Sequence, residues 1–376
     1  MTEPELVSLR APAAGAPGEP RARLFGALRR AQDRRTQDRR AKHKNIAAIV
    51  IHPTSNFMAH YLMGLLPAAG ISLLALNTRY LGNDSQLIFE RVIADLGAGV
   101  RFLRDKGFDK VILLGNSGGA STVAFYQAEA ENLTLTDTPA GDPVTLSPDD
   151  LPPADGIALF GAHPGRALVL EKWLDASVTD EADSLSRDPA LDIYDPANGP
   201  PFSADFVAAL RAAQTARSTR ITAWVRQRLA AIRAIPEGPR DEGFVVHRTC
   251  ADPRLLDPLL DANDRAPDMV WGDPRTLNQS VNDVARFTTL TSWLSQWSLE
   301  SRAHGPACIT QTSVPVLNVE FTADTNVLPS DIAMWTAALG DRQTLHRLIG
   351  GTHFLIGQPD HRQTLTAMIT DWTRQL

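Results

Sequence analysis

Cysteine is almost missing from this chain. Only Cys250 and Cys308 occur in 376 residues. That excludes a disulfide framework and fits a reducing compartment. The two cysteines and the histidines do not make up the four-ligand spacing of a zinc site. No apolar run approaches the about 18 residues needed to span a membrane. The opening Met1-Thr-Glu-Pro-Glu-Leu6 lacks the basic-then-apolar form of a secretory signal, so a cytoplasmic location is expected. Positive charge is not in excess: the formal net charge is −6, which suggests no nucleic-acid role. No internal repeat is visible. What remains is an ordinary globular balance, 43% hydrophobic and 21% charged. The length suits one large domain with an insertion, or two domains.

Order in the pattern begins at residue 46. Ile46 to Ile51 and Ile71 to Leu76 are short continuous apolar runs, which read as buried strands. Phe57 to Leu66 reads as a helix between them. Residues 86–105 place Ile88, Val92, Leu96, Val100 and Leu103 on one helical face, with Asn83-Asp-Ser85 able to cap it. Val111 to Leu114 is a third strand and Gly156 to Phe160 a fourth. Val314 to Phe321 and Thr344 to Ile349 follow much later, each before a helix, at about 330–340 and at 362–376. Continuous apolar strands alternating with helices mean a mostly parallel sheet covered on both faces, an α/β architecture. Residues 1–44 fall outside this alternation and read as an N-terminal arm. Leu6 to Leu9 is a possible edge strand there. Residues 21–44 carry ten Lys or Arg against two Asp, which reads either as a solvated helix or hairpin beside the sheet or as a basic arm for an acidic partner or an anionic surface. The core covers 45–167 and 311–376. Residues 168–310 form an inserted, mainly helical cap, whose clearest helix spans Ala204 to Ile235.

The third strand runs into Gly115-Asn-Ser117-Gly-Gly119, and a helical pattern starts at once behind it. Strand, tight Gly-flanked turn and helix push a serine hydroxyl out of the sheet edge. The helix N-terminus turns its partial positive charge toward the same place. A serine hydroxyl is a poor nucleophile without a base, and the base needs a third group to fix its tautomer. In an open parallel sheet all three must stand at the carboxyl ends of strands. His353, in Gly350-Gly-Thr-His353, lies just past one such end. Asp324 lies three residues past Phe321. Glu320 and Asp331 are rival carboxylates, one inside the strand and the other at the start of the next helix. The order is Ser, Asp, His.

These residues resemble the α/β-hydrolase superfamily. The nucleophile elbow is Gly115 to Gly119. The acid loop is Val319-Glu-Phe-Thr-Ala-Asp324-Thr-Asn-Val327, and the histidine loop is Gly350 to His353. The resemblance covers about 45–130, 156–167 and 314–376, and leaves out the arm and the insertion. It implies a serine hydrolase with Ser117, Asp324 and His353 as its triad, acting on a carboxylic ester. Cleavage of a carbon–carbon bond, thioester, lactone or amide by the same triad is the alternative. A non-catalytic binding protein on the same scaffold is another. No metal or organic cofactor is implied, and the partner is a small molecule with an apolar acyl or ring group. The oxyanion hole would combine the Gly118 N–H with a donor from the loop after the first core strand. That loop reads His52-Pro53, and proline has no N–H, so Thr54 is the expected donor, with Ser55 next.

His52 itself reads as a structural histidine holding its loop. His163, after the fourth strand, reads either as a substrate contact or as a loop histidine bonded locally. Five tryptophans, Trp173, Trp224, Trp271, Trp293 and Trp297, fall in the insertion. They could roof the substrate, but most are expected to build the cap's own small core.

Overall fold

The computed structural model describes residues 3–15, 18–31, 45–267, 269–281 and 284–376. Ten strands occur among them. They are β1 (Glu5–Arg10), β2 (Arg23–Arg29), β3 (Ile46–His52), β4 (Ser72–Asn77), β5 (Lys110–Ser117), β6 (Gly156–Ala162), β7 (Gly243–Val245), β8 (Phe287–Thr289), β9 (Val316–Phe321) and β10 (Gln343–Leu348). Eight of them make one sheet in the order β1-β2-β4-β3-β5-β6-β9-β10. From β4 to β10 every pairing is parallel, while β1 and β2 run antiparallel at one edge.

The central strands are mostly apolar because helices cover both faces. Side chains alternate between them with period two. Ile49 and Ile51 join the helices Phe89–Asp105 and Gly119–Glu131 on one face. Ala48 and Val50 join the helices Leu62–Ala69 and Pro359–Thr373 on the other.

The N-terminal segment departs from the expected arm. Leu6 to Leu9 does lie in an edge strand, but residues 23–29 are sheet as well, paired with β1 on one side and β4 on the other. Five residues between arginines, Leu24 to Leu28, suffice for this. Leu24, Ala27 and Leu28 are buried, while Arg23 and Phe25 face outward. Most of the basic run, residues 32–44, lies outside the described residues. Two helix starts also differ. The first core helix begins at Leu62, because residues 57–61 form a turn closed by His60 N–H donating to Phe57 O. The second begins at Phe89, and Asn83 caps only its own turn, accepting from Ser85.

Between β6 and β9 the chain leaves the sheet. The long helix is there, Ala204–Arg233. The rest is less helical than the sequence reading holds. It contains a β7–β8 ribbon, short helices and many turns. Asp-Pro pairs account for several of these turns. Asp188, Asp252, Asp257 and Asp273 each stand before a proline and accept a hydrogen bond from an N–H two or three residues on. Proline fixes the first turn residue and the carboxylate caps it, so each unit starts a helix that does not propagate. Trp293 and Trp297 pack with Ile221, Val225 and Leu229 in a separate apolar cluster. Trp173 is buried too, whereas Trp224 and Trp271 are about half exposed.

The insertion meets the core at Glu90. Ser295 Oγ accepts from Phe89 N–H and donates to a Glu90 carboxyl oxygen, both at 2.8 Å. The other Glu90 oxygen is buried without a partner. Burial pushes this carboxyl up to about 7 from 4.5. The folded protein therefore holds a proton there that the unfolded chain releases near 4.5, so this residue's contribution to stability is lost as pH rises from about 4.5 to 7. Glu90→Gln should stabilise the protein at pH 8 relative to pH 5, by up to roughly 3 kcal/mol from the size of the shift. Denaturant melts of both proteins at the two pH values check this. A gain equal at both would place the titration elsewhere.

Candidate active site

Ser117 ends β5, one of the two central strands of the six that run parallel. Its φ is +53°, a left-handed conformation that non-glycine residues rarely take. The ladder slips beside it: Asn116 pairs with Phe160, but Ser117 pairs with Ala162. The helix after the turn packs closely on β3. A β-carbon at Gly119 would lie 2.3 Å from Ile51 O, so only glycine fits. Asn116 steadies the turn from behind. Its Nδ2 donates to Phe160 O at 3.0 Å, and its Oδ1 meets His60 Nε2 at 3.1 Å. His60 Nδ1 accepts from Leu62 N–H, so the ring proton sits on Nε2. Burial, above all, lowers His60 to about 4 and keeps it neutral.

His353 and Asp324 complete the arrangement. Ser117 Oγ lies 3.0 Å from His353 Nε2, and His353 Nδ1 lies 2.8 Å from Asp324 Oδ2. Asp324 Oδ1 accepts from Asn326 N–H at 2.7 Å and Val327 N–H at 2.9 Å, which fixes the carboxylate plane. With Oδ2 accepting from Nδ1–H, Nε2 is left as the acceptor for the serine proton. All three side chains are buried, Ser117 the most open at 8%. The insertion touches the acid loop directly: Asn263 Nδ2 donates to Asp324 O, and Asp264 N–H to Thr322 O.

The rival carboxylates are engaged elsewhere. Glu320 pairs with Arg347 on the neighbouring strand at 2.8 Å. Asp331 accepts from Leu328 N–H at the start of the helix Pro329–Leu339 and pairs with Lys172. The geometry thus joins Asp324, and neither rival, to His353.

Thr54 does not take the expected position. Its N–H is directed at His52 Nδ1, 3.2 Å away, and Ser55 N–H is directed there too, at 2.9 Å. Its hydroxyl accepts from Arg166 Nη2 at 2.8 Å. The loop folds back onto the ring before it, so the N–H groups after Pro53 point inward. His52 thus holds its loop as the sequence reading has it.

Among the described residues the His163 side chain makes no hydrogen bond. Its backbone N–H reaches Ser117 O, its ring lies 5.5 Å from that of His353, and its Nδ1 is buried without a partner. Burial first, then the nearness of His353, lowers it to about 4, so it is neutral in the site. Arg166 is a residue the sequence reading does not single out. Its guanidinium is largely buried, stacks on Trp297 and bonds Thr54 and Gln296. Its one sequence signal is its place four residues past the end of β6, where strand-end loops carry site residues.

No family model matches this sequence, and no curated protein does. Solved structures match in shape. The α/β hydrolase GrgF from Penicillium sp. sh18 is similar over 98% of this chain and 98% of its own, with a TM-score of 0.52 at 10% identity. The chain has the α/β-hydrolase fold. DcsB, solved with a substrate analogue, is similar over 99% of both chains with a TM-score of 0.51 at 11% identity. The esterase domain of a Rhodothermus marinus protein is similar over 99% of both at 13% identity, with a TM-score of 0.47. In this α/β-hydrolase fold Ser117, Asp324 and His353 all lie at the carboxyl edge of the parallel strands, Ser117 at the end of β5 and the other two past β9 and β10. Among the described residues no helix is long and apolar enough to cross a membrane, and no group of three potential metal ligands gathers.

Proposed function

We propose that the protein is a serine hydrolase that cleaves a carboxylic ester through an acyl-enzyme. The supporting observation is the unbroken chain from Ser117 Oγ to His353 to Asp324, at 3.0 and 2.8 Å. In this reading Ser117 Oγ attacks the ester carbonyl and His353 Nε2 takes its proton. Asp324 holds the tautomer and stabilises the imidazolium. The carbonyl oxygen becomes an alkoxide beside the Gly118 N–H. His353 then protonates the leaving alkoxide, and the alcohol departs. Water, deprotonated by the same imidazole, attacks the acyl group, and Ser117 leaves with its proton restored.

Residues 168–310 act as a cap over this edge. Two cavities of about 590 and 630 Å³ lie within the insertion, and neither is lined by Ser117, Asp324 or His353. The substrate is a small molecule whose apolar acyl or ring part sits between the sheet edge and the cap.

A panel of p-nitrophenyl esters of increasing chain length tests this, beside a matched anilide and a 1,3-diketone. Ester turnover abolished by Ser117→Ala is the expected result. Cleavage of the diketone with esters untouched would move the reading to carbon–carbon hydrolysis.

A further inference from the structure

We infer that His52 is a catalytic residue: its Nε2–H is the second donor of the oxyanion hole, opposite the Gly118 N–H. The inference rests on the serine-hydrolase reading and adds the group that replaces the missing backbone donor.

The tautomer follows from hydrogen bonds. His52 Nδ1 receives two backbone N–H groups, from Thr54 and Ser55. A nitrogen that accepts cannot carry the ring proton, so the proton is on Nε2. A proton on Nδ1 as well would face both donors. Burial first, then the Arg166 charge and the nearness of His163 and His353, hold the ring well below its usual pKa, and it stays neutral. Among the described residues its Nε2–H donates to no protein atom.

Position follows from the elbow. A β-carbon at Gly118 would lie 3.0 Å from His52 Nε2. The ring edge therefore occupies the space a side chain at Gly118 would fill. That residue directly follows the nucleophile, and its N–H opens the helix Gly119–Glu131. A donor in that space adjoins the place where negative charge develops when Ser117 Oγ bonds the carbonyl carbon. The π pair moves to oxygen as the serine proton passes to His353 Nε2. A neutral, preset N–H is the group this step calls for, since it stabilises the alkoxide without competing for the proton. Pro53 offers no N–H and Thr54 has turned its own away, which leaves His52 as the group in place.

Two substitutions separate catalysis from loop support. In His52→Asn the amide oxygen stands where Nδ1 stood and still accepts from Thr54 and Ser55, but nothing reaches the Nε2 position. In His52→Gln the amide nitrogen reaches that position and the acceptor is lost. Turnover of p-nitrophenyl butyrate is measured with inhibition by an aryl trifluoromethyl ketone, which adds to Ser117 and forms an alkoxide in the hole. His52→Asn should lower kcat by about 10²-fold and weaken the ketone by a similar factor, with KM within about threefold and little change in Tm. His52→Gln should recover part of both losses. Should His52→Asn fail to fold, His52→Gln against His52→Ala decides: ketone binding kept by Gln but not Ala supports the donor role, and equal loss in both overturns it. A folded His52→Asn that keeps kcat and ketone binding within about threefold of wild type leaves His52 a loop support and overturns the inference alone. A wild-type protein that neither turns over the ester nor binds the ketone overturns the serine-hydrolase reading, and this inference with it.

Discussion

Asp324→Asn will lower kcat on an activated ester by about 10⁴-fold, while Asp331→Asn will leave it nearly unchanged. The structure makes the reason specific. Asn326 and Val327 N–H both donate to Asp324 Oδ1. In the asparagine variant those two donors require the amide oxygen at that place, so the amide NH₂ must face His353 Nδ1. Nδ1 then accepts, the ring proton moves to Nε2, and the ring no longer accepts the serine proton. The fold should hold, because the oxygen keeps both backbone bonds. Asp331 lies at the start of the next helix, paired with Lys172. Removing its charge costs roughly 1 kcal/mol of stability through the lost pair and the helix dipole. Turnover of both variants on one p-nitrophenyl ester separates them. A dead Asp331→Asn beside an active Asp324→Asn would place the acid wrongly.

Ser117→Ala should reduce turnover by roughly 10³-fold or more, with the residue left over coming from binding and the oxyanion donors. Its effect on stability should be small. The Ser117 side chain makes one hydrogen bond, to His353. Its φ of +53° is set by the turn and not by the hydroxyl. Alanine takes the same backbone conformation at much the same cost. A melting temperature unchanged within a few degrees, with activity gone, is the expected pair of results. Full activity in a folded Ser117→Ala protein would remove the nucleophile from the account.

How far the sequence shows this depends on what positions each residue. β3 to β6 are legible because both faces are buried, so the runs are apolar without interruption. Ser117 is legible because its turn admits few residues beside it. Asp324 and His353 follow once strand ends are placed, since the chemistry asks for one sheet edge. β2 is hidden by its flanks. Arginines at both ends of a five-residue apolar stretch look like a solvated arm, and its burial comes from pairing with β4, far along the chain. The insertion is hidden for another reason. Its Asp-Pro turns look like helix starts, and whether a turn propagates depends on tertiary contacts. The Thr54 expectation fails on the direction of a backbone amide. Sequence shows that Pro53 lacks an N–H, which sends attention to the next amide. It does not show that the loop closes on the His52 ring and takes that amide away.

Intact-mass measurement after treatment with a fluorophosphonate tests the central claim most directly. The reagent traps an activated serine by displacement of fluoride, and so reads the nucleophile without knowledge of the substrate. Wild-type protein should gain one phosphonyl group, carried on the peptide that contains Ser117, and Ser117→Ala should gain none. An unmodified wild-type protein, or an adduct on another residue that persists in Ser117→Ala, would contradict the account.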